Sequence, residues 1–197
     1  MGLFDLKDKT ESEEEFDRLL GSLSVDFSEQ KPDYSELTIE QLDFIPSDGL
    51  VGAVCSWIKR KLSDGEEEGV SAVDTLSGLP EPCGHVFGIK TLIDEFEKNG
   101  FNKYYGDEYS SQFIDFAIEG FRELKEYDLL EIAERSKEKF IKLFNKHGRD
   151  YFNGFLLDYG NNALTTLDFE FETQIAKKNI ERLLIDYIRG HSDDFGD

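Results

Sequence analysis

The sequence predicts an all-α fold, a bundle of five to seven helices. Apolar residues recur at helical spacing in several separate stretches. Helix start and stop signals bracket most of those stretches. The 197 residues, 39% apolar and 13% aromatic, also supply enough material for a substantial core.

Taken in order, residues 1–48 stand apart as an acidic N-terminal arm or lid, in which Glu11 to Leu20 fits a short helix and Gly21 to Tyr34 a loop. Residues 1–50 hold 14 acidic and 4 basic side chains, nearly half of the chain's net charge of −21 in a quarter of its length. Thr38 and Gln41 have the spacing of a capping box. Pro46 ends that short helix, and Ser47-Asp48 offers a fresh N-cap. Leu50, Val51, Val54, Trp57, Ile58 and Leu62 line the next helix, and Ser63 to Gly69 reads as a solvated acidic loop.

Beyond Leu79-Pro80-Glu81-Pro82 a further helix carries Val86, Ile89, Leu92, Ile93 and Phe96, and Asn99-Gly100 stops it. Gly100 is expected at positive φ, with Phe101, Tyr104 and Tyr105 folding back as a plug at a helix–helix corner. Ser110 or Ser111 caps the next helix, whose buried face is Phe113, Phe116, Ala117, Phe121 and Leu124. Asp128 caps another, bearing Leu130, Ile132, Ala133, Phe140 and Phe144 and closed by His147-Gly148. The Gly/Asn-rich stretch 150–165 suits a turn or short hairpin. One last helix is predicted from about Asp168 to Arg189, followed by an acidic tail, 191–197.

Charge dominates what the chain can meet. A body with 43 acidic and 22 basic side chains repels nucleic acids and anionic membranes and attracts basic partners. Solubility alone, or adaptation to salt, is the plainer reading of the same charge. Met1 to Asp8 lacks a basic, then apolar, leader, and no apolar run approaches the roughly 20 residues of a membrane span. A cytoplasmic protein with two buried free thiols, Cys55 and Cys83, is therefore expected.

Chemistry-bearing motifs are missing. His85, His147 and His191 are far apart and form no HExxH, and neither a nucleophile elbow nor a phosphate-binding glycine loop occurs. A non-enzymatic protein without cofactor or metal follows as the expectation.

The pattern Glu97-x-Asn99-Gly100-x-x-x-Tyr104-Tyr105 resembles the E-x-x-N-G-G-F-x-Q-Y-F signature of a widespread bacterial family, once a domain of unknown function and now named for its DNA-mimic member. Phe101 stands where the family has its second glycine, and Lys103 where it has glutamine. Ala117 to Ala133 resembles the family's following helix pair, Phe113 to Phe140 holds the same apolar spacing, and Leu167-Asp168-x-x-Phe171 through Tyr187-Ile188 resembles its closing helix. The resemblance covers roughly residues 49–190 and implies a helical fold, often dimeric, and one characterised activity: carboxylates that imitate DNA phosphates and occupy a DNA-binding protein.

Under that reading the partner is a basic protein, such as a transcription factor or nucleoid protein, with no direct nucleic acid. The candidate contact groups are Glu13, Glu14, Glu15, Asp17, Glu66, Glu67, Glu68, Asp107, Glu108, Asp193 and Asp194. The alternatives are an immunity protein neutralising a basic toxin, anchored by aromatics such as Tyr104, Tyr105 or Tyr109, and an acidic scaffold.

Overall fold

A capping box opens the first described helix, as its spacing predicts. Thr38 Oγ1 accepts the Gln41 amide and Gln41 Oε1 accepts the Thr38 amide, which starts α1 (Ile39–Leu42). The structure, a computed structural model, describes residues 34, 36–148, 150–153 and 164–196. The chain divides into two compact units, Met1–Asp33 and Tyr34–Asp197. The first lies outside the described residues, and with it the expected helix at Glu11 to Leu20. Residues 36–48, read with the arm from their charge, belong to the second unit, because Leu37, Leu42 and Ile45 are buried in its core.

Every regular element among the described residues is helical. After α1 come α2 (Ser47–Glu67), α3 (Ala72–Gly78), α4 (Glu81–Gly106), α5 (Glu108–Ser111), α6 (Ile114–Glu123) and α7 (Tyr127–His147). They are followed by α8 (Asp150–Asn153), α9 (Thr165–Lys177), α10 (Ile180–Gly190) and a 3-10 turn, Ser192–Asp194. The expected hairpin lies largely outside the described residues, and residues 150–153 are helical.

Several boundaries differ from the sequence reading. Pro46, and not Ser47, precedes the first residue of α2. That helix also runs on through the stretch read as a loop, where Arg60 and Asp64 pair one turn apart and the Glu68 amide bonds back to the Asp64 carbonyl. A short helix, α3, capped by Ser71 on the Asp74 amide, follows it. Asp107 caps α5, so neither Ser110 nor Ser111 opens a helix, and α7 starts at Tyr127, one residue before Asp128. The predicted last helix is two, because Asn179 takes a non-helical conformation and caps α10 through the Arg182 amide. Gly148 ends α7 as expected.

The core centres on α4. Its first half crosses α6 so closely that a Cβ on Gly88 would lie 2.5 Å from the Ala117 amide nitrogen. Only a residue without a side chain permits that approach. At Asn99 and Gly100 the helix breaks, with Gly100 at φ 67°, and then resumes through residues 101–106. The break therefore turns the helix rather than ending it. Asp168 of α9 supplies the missing cap: its Oδ1 accepts the Phe101 amide at 2.8 Å. The same carboxylate occupies the space beside Gly100, where a Cβ would meet it at 2.8 Å. Burial raises the Asp168 pKa, and the Phe101 amide partly offsets this.

Aromatic rings close the corner. Phe171 packs against Phe96, Phe101 and Phe121 at ring separations of 4.8, 5.1 and 6.2 Å. Tyr105 stacks on Phe140 at 4.3 Å. Since Ser136 donates to the Ala133 carbonyl, the Tyr105 hydroxyl donates to Ser136 Oγ, at 2.8 Å.

Candidate partner-binding surface

Cations are scarce in this chain, so where they pair decides which carboxylates remain unneutralised. Around α6, α7 and α9 several of them pair within and between helices. Arg122 joins Glu119 and Glu134, Lys137 joins Asp115, Arg135 joins Glu131 and Glu170, and Lys178 joins Glu126 and Asp128. The exposed pairs among these stabilise little, about 0.2–1 kcal/mol each, and Lys178 with Glu126 is half-buried, but all cancel local charge.

At the end of α2, Glu66, Glu67 and Glu68 are exposed and have no ion-pair partner among the described residues. The fold carries α5 to the same place: Tyr109, raised in pKa first by burial, is raised further by the charge of Glu66. Tyr109, half-exposed on α5 next to exposed Glu108, is thus within electrostatic reach of Glu66 at the end of α2, some 40 residues away in sequence. Asp107 is different, because its carboxylate is committed to the Ser110 amide at 2.7 Å, and that bond lowers its pKa.

The C-terminal residues are not a simple acidic tail. Phe195 is fully buried, and the 3-10 turn packs against α1, leaving Asp193 exposed and Asp194 half-buried. The Asp194 carbonyl accepts the Cys83 thiol at 3.2 Å. Both cysteines are buried free thiols, and burial pushes each up to about 12. Glu13, Glu14, Glu15 and Asp17 lie outside the described residues.

Two expected aromatic anchors are corrected by the structure. Tyr104 and Tyr105 are both 0% exposed, held inside by the corner at Gly100. Tyr109, at 45%, is reachable. The motif residues divide likewise: Asn99 and Gly100 make the break, Tyr104 and Tyr105 fill the core, and Glu97 is exposed.

Sequence reasoning missed a second acidic surface. Glu36, Glu40, Asp43 and Asp48 are exposed around α1 and the start of α2. A signal for it exists, since no Lys, Arg or His occurs between Lys31 and Lys59.

The histidines do meet in part. His85 Nδ1 lies 2.8 Å from the Tyr187 hydroxyl, and His191 packs on the Tyr187 ring at 4.3 Å. Burial lowers the His85 pKa, against the opposing charges of Glu123, Glu81 and Glu119. Among the described residues no three His, Cys, Asp or Glu side chains are placed to hold a metal ion, and no helix is long and apolar enough to cross a membrane.

Neither a search of curated proteins nor one of solved structures finds a significant match. A family model described as DMP19-like protein matches residues 77–191, from the end of α3 to the residue after α10, and so spans both the break at Asn99-Gly100 and the Asp168 that caps it. With more than half of its length matched, this chain belongs to the family of DMP19-like proteins.

Proposed function

We propose that the chain is a non-enzymatic DNA mimic that occupies the basic surface of a DNA-binding protein. Family membership makes DNA mimicry the first reading to consider. The observation that carries it for this chain is where the cations pair: Arg122, Arg135, Lys137 and Lys178 neutralise carboxylates around α6, α7 and α9, while Glu40 on α1, Glu66 and Glu67 at the end of α2 and Glu108 on α5 stay exposed with no ion-pair partner among the described residues. Glu66, Glu67, Glu68, Glu108 and Asp193 are the contact groups on described residues that fit this role, and Asp107 contributes charge while capping α5. A protein evolved to imitate phosphates needs surface charge left free, and attraction between such a surface and a basic face strengthens encounter at low salt. The immunity reading has the same charge logic with a different partner; of the aromatic anchors expected for it, Tyr104 and Tyr105 are inside the core and Tyr109 is reachable.

A pull-down from host lysate at low salt, eluted with rising salt, tests the proposal. Recovery of a DNA-binding protein that duplex DNA displaces is the expected result. Capture of a protein that neither salt nor duplex DNA releases sinks it.

A further inference from the structure

One aromatic side chain in the described structure stands almost wholly in solvent. Phe44 is 87% exposed, the most exposed large apolar residue on the described surface. Single exposed apolar residues are common and need no explanation. Its mounting, however, is unusual. Phe44 sits in the turn between α1 and α2, and Arg189 of α10 grips that turn from below. The guanidinium donates through Nη1 to the Leu42 carbonyl and through Nη2 to the Ile45 carbonyl, the latter at 2.7 Å. Buried Leu42 and Ile45 fix the turn on either side. The backbone at Phe44 is thus clamped while its ring stands in solvent.

The surroundings distinguish this ring from Phe169 and Tyr127, the next most exposed aromatics on the described surface. Phe169, 71% exposed, borders a shallow groove with Arg135, Glu131 and Glu170, where the charges pair off. Tyr127 lies between Glu126 and Asp128, both joined to Lys178. By contrast Glu36, Glu40 and Asp48 have no ion-pair partner among the described residues, and only Asp43 is paired, with Arg189 at 3.9 Å. The docked 3-10 turn adds exposed Asp193 to the same side of the fold.

We propose that Phe44 is an aromatic anchor at an acidic corner, which inserts into an apolar pocket rimmed by Lys and Arg on a basic partner protein. This rests on the mimic reading above and adds to it the point of attachment. It lies outside the family match, which begins at residue 77. The chemistry fits the known division of labour at interfaces. Charges steer encounter and set the salt dependence, whereas a rigid aromatic in a desolvated pocket holds the complex together. A phosphate backbone has no such ring, so the anchor lets the partner tell this protein from DNA.

The test uses the full chain carrying the photocrosslinker p-benzoylphenylalanine at position 44, or at position 169 as the control. Irradiation in host lysate identifies the basic protein joined through position 44, which is then purified. Its binding to the wild type, Phe44→Ala, Phe44→Leu and the double variant Glu40→Gln/Asp43→Asn is measured over a series of salt concentrations. The proposal expects Phe44→Ala to weaken binding at least about tenfold, through faster dissociation and with the salt slope unchanged. Phe44→Leu recovers part of the loss, and the double variant lowers the association rate and the salt slope. Binding by Phe44→Ala within about twofold of wild type, with salt dependence and displacement by duplex DNA intact, overturns the anchor and leaves mimicry standing. Binding that needs Phe44 yet ignores salt and DNA supports the anchor and overturns mimicry. Equal crosslinking at positions 44 and 169, or no basic protein at either, overturns the anchor. So does a Phe44→Ala chain that sediments as a smaller species than wild type, which assigns the ring to a self-contact.

Discussion

The break in α4 and the turn between α1 and α2 are both short departures from helix, and each lies beside aromatic residues. They use those residues in opposite ways. At Asn99-Gly100 the rings are consumed by the core: Asp168 caps the Phe101 amide, Phe96, Phe101 and Phe171 pack on one another, and Tyr104 and Tyr105 are sealed in, the Tyr104 hydroxyl without a hydrogen-bond partner. At the α1–α2 turn the backbone is consumed, by Arg189, while Phe44 and the carboxylates of Glu40 and Asp48 are not. An aromatic cluster after a helix break is thus a poor sign of an interface.

The largest expected effect breaks the first region. Phe171→Ala removes the ring that ties both halves of α4 to α6 and should cost about 3–5 kcal/mol in denaturant unfolding. Next, Gly88→Ala drives a methyl group into the α6 backbone and should cost about 1–3 kcal/mol, seen as a lower midpoint in the same assay.

Asp168→Ala leaves the Phe101 amide without its acceptor, a loss of about 1–3 kcal/mol, whereas Asp168→Asn keeps an acceptor and should lose less. Because burial raises the Asp168 pKa, its linked contribution is fully present below the unfolded value near 3.8. It is lost as pH rises through the folded one. The deficit of the Asn variant against wild type should therefore shrink between acid and neutral pH, a trend that urea titrations at several pH values can check.

His85 has the opposite sign. Its folded pKa is lowered, so the stability it contributes is present above the unfolded value of 6.5 and is lost as pH falls through the folded one. Ring-proton NMR should show it titrating below the ordinary histidine value of 6.5, and His85→Gln should flatten stability below pH 6.5. The smallest effect on folding belongs to Phe44→Ala. Unfolding should stay within about 0.5 kcal/mol of wild type, because the ring has no packing to lose. A larger loss would make the α1–α2 turn resemble the α4 break and erase the contrast.

Much of the fold was legible. Helical periodicity over Leu50 to Leu62 and Val86 to Phe96, the Thr38 capping box and the stop at Gly148 are local signals, and local geometry satisfies them. The sequence also marked Gly100 as a residue at positive φ. It could not show that the helix resumes after it, because the cap that allows this comes from Asp168, 67 residues away. The acidic run at Asp64 to Glu67 read as a loop because charge suggests solvent, and a solvated helix end is equally charged. For the candidate surface, composition exposed the excess of carboxylates but not their availability.

By itself, then, the sequence determined the helical class, the family and the surplus of negative charge, since periodicity, motif spacing and composition are properties of the chain read locally. Tertiary structure decided which carboxylates are neutralised, which aromatics are buried and that Phe44 is not. Ion pairs such as Lys178 with Glu126, and clamps such as Arg189 on Leu42 and Ile45, join residues that only packing brings within reach of one another.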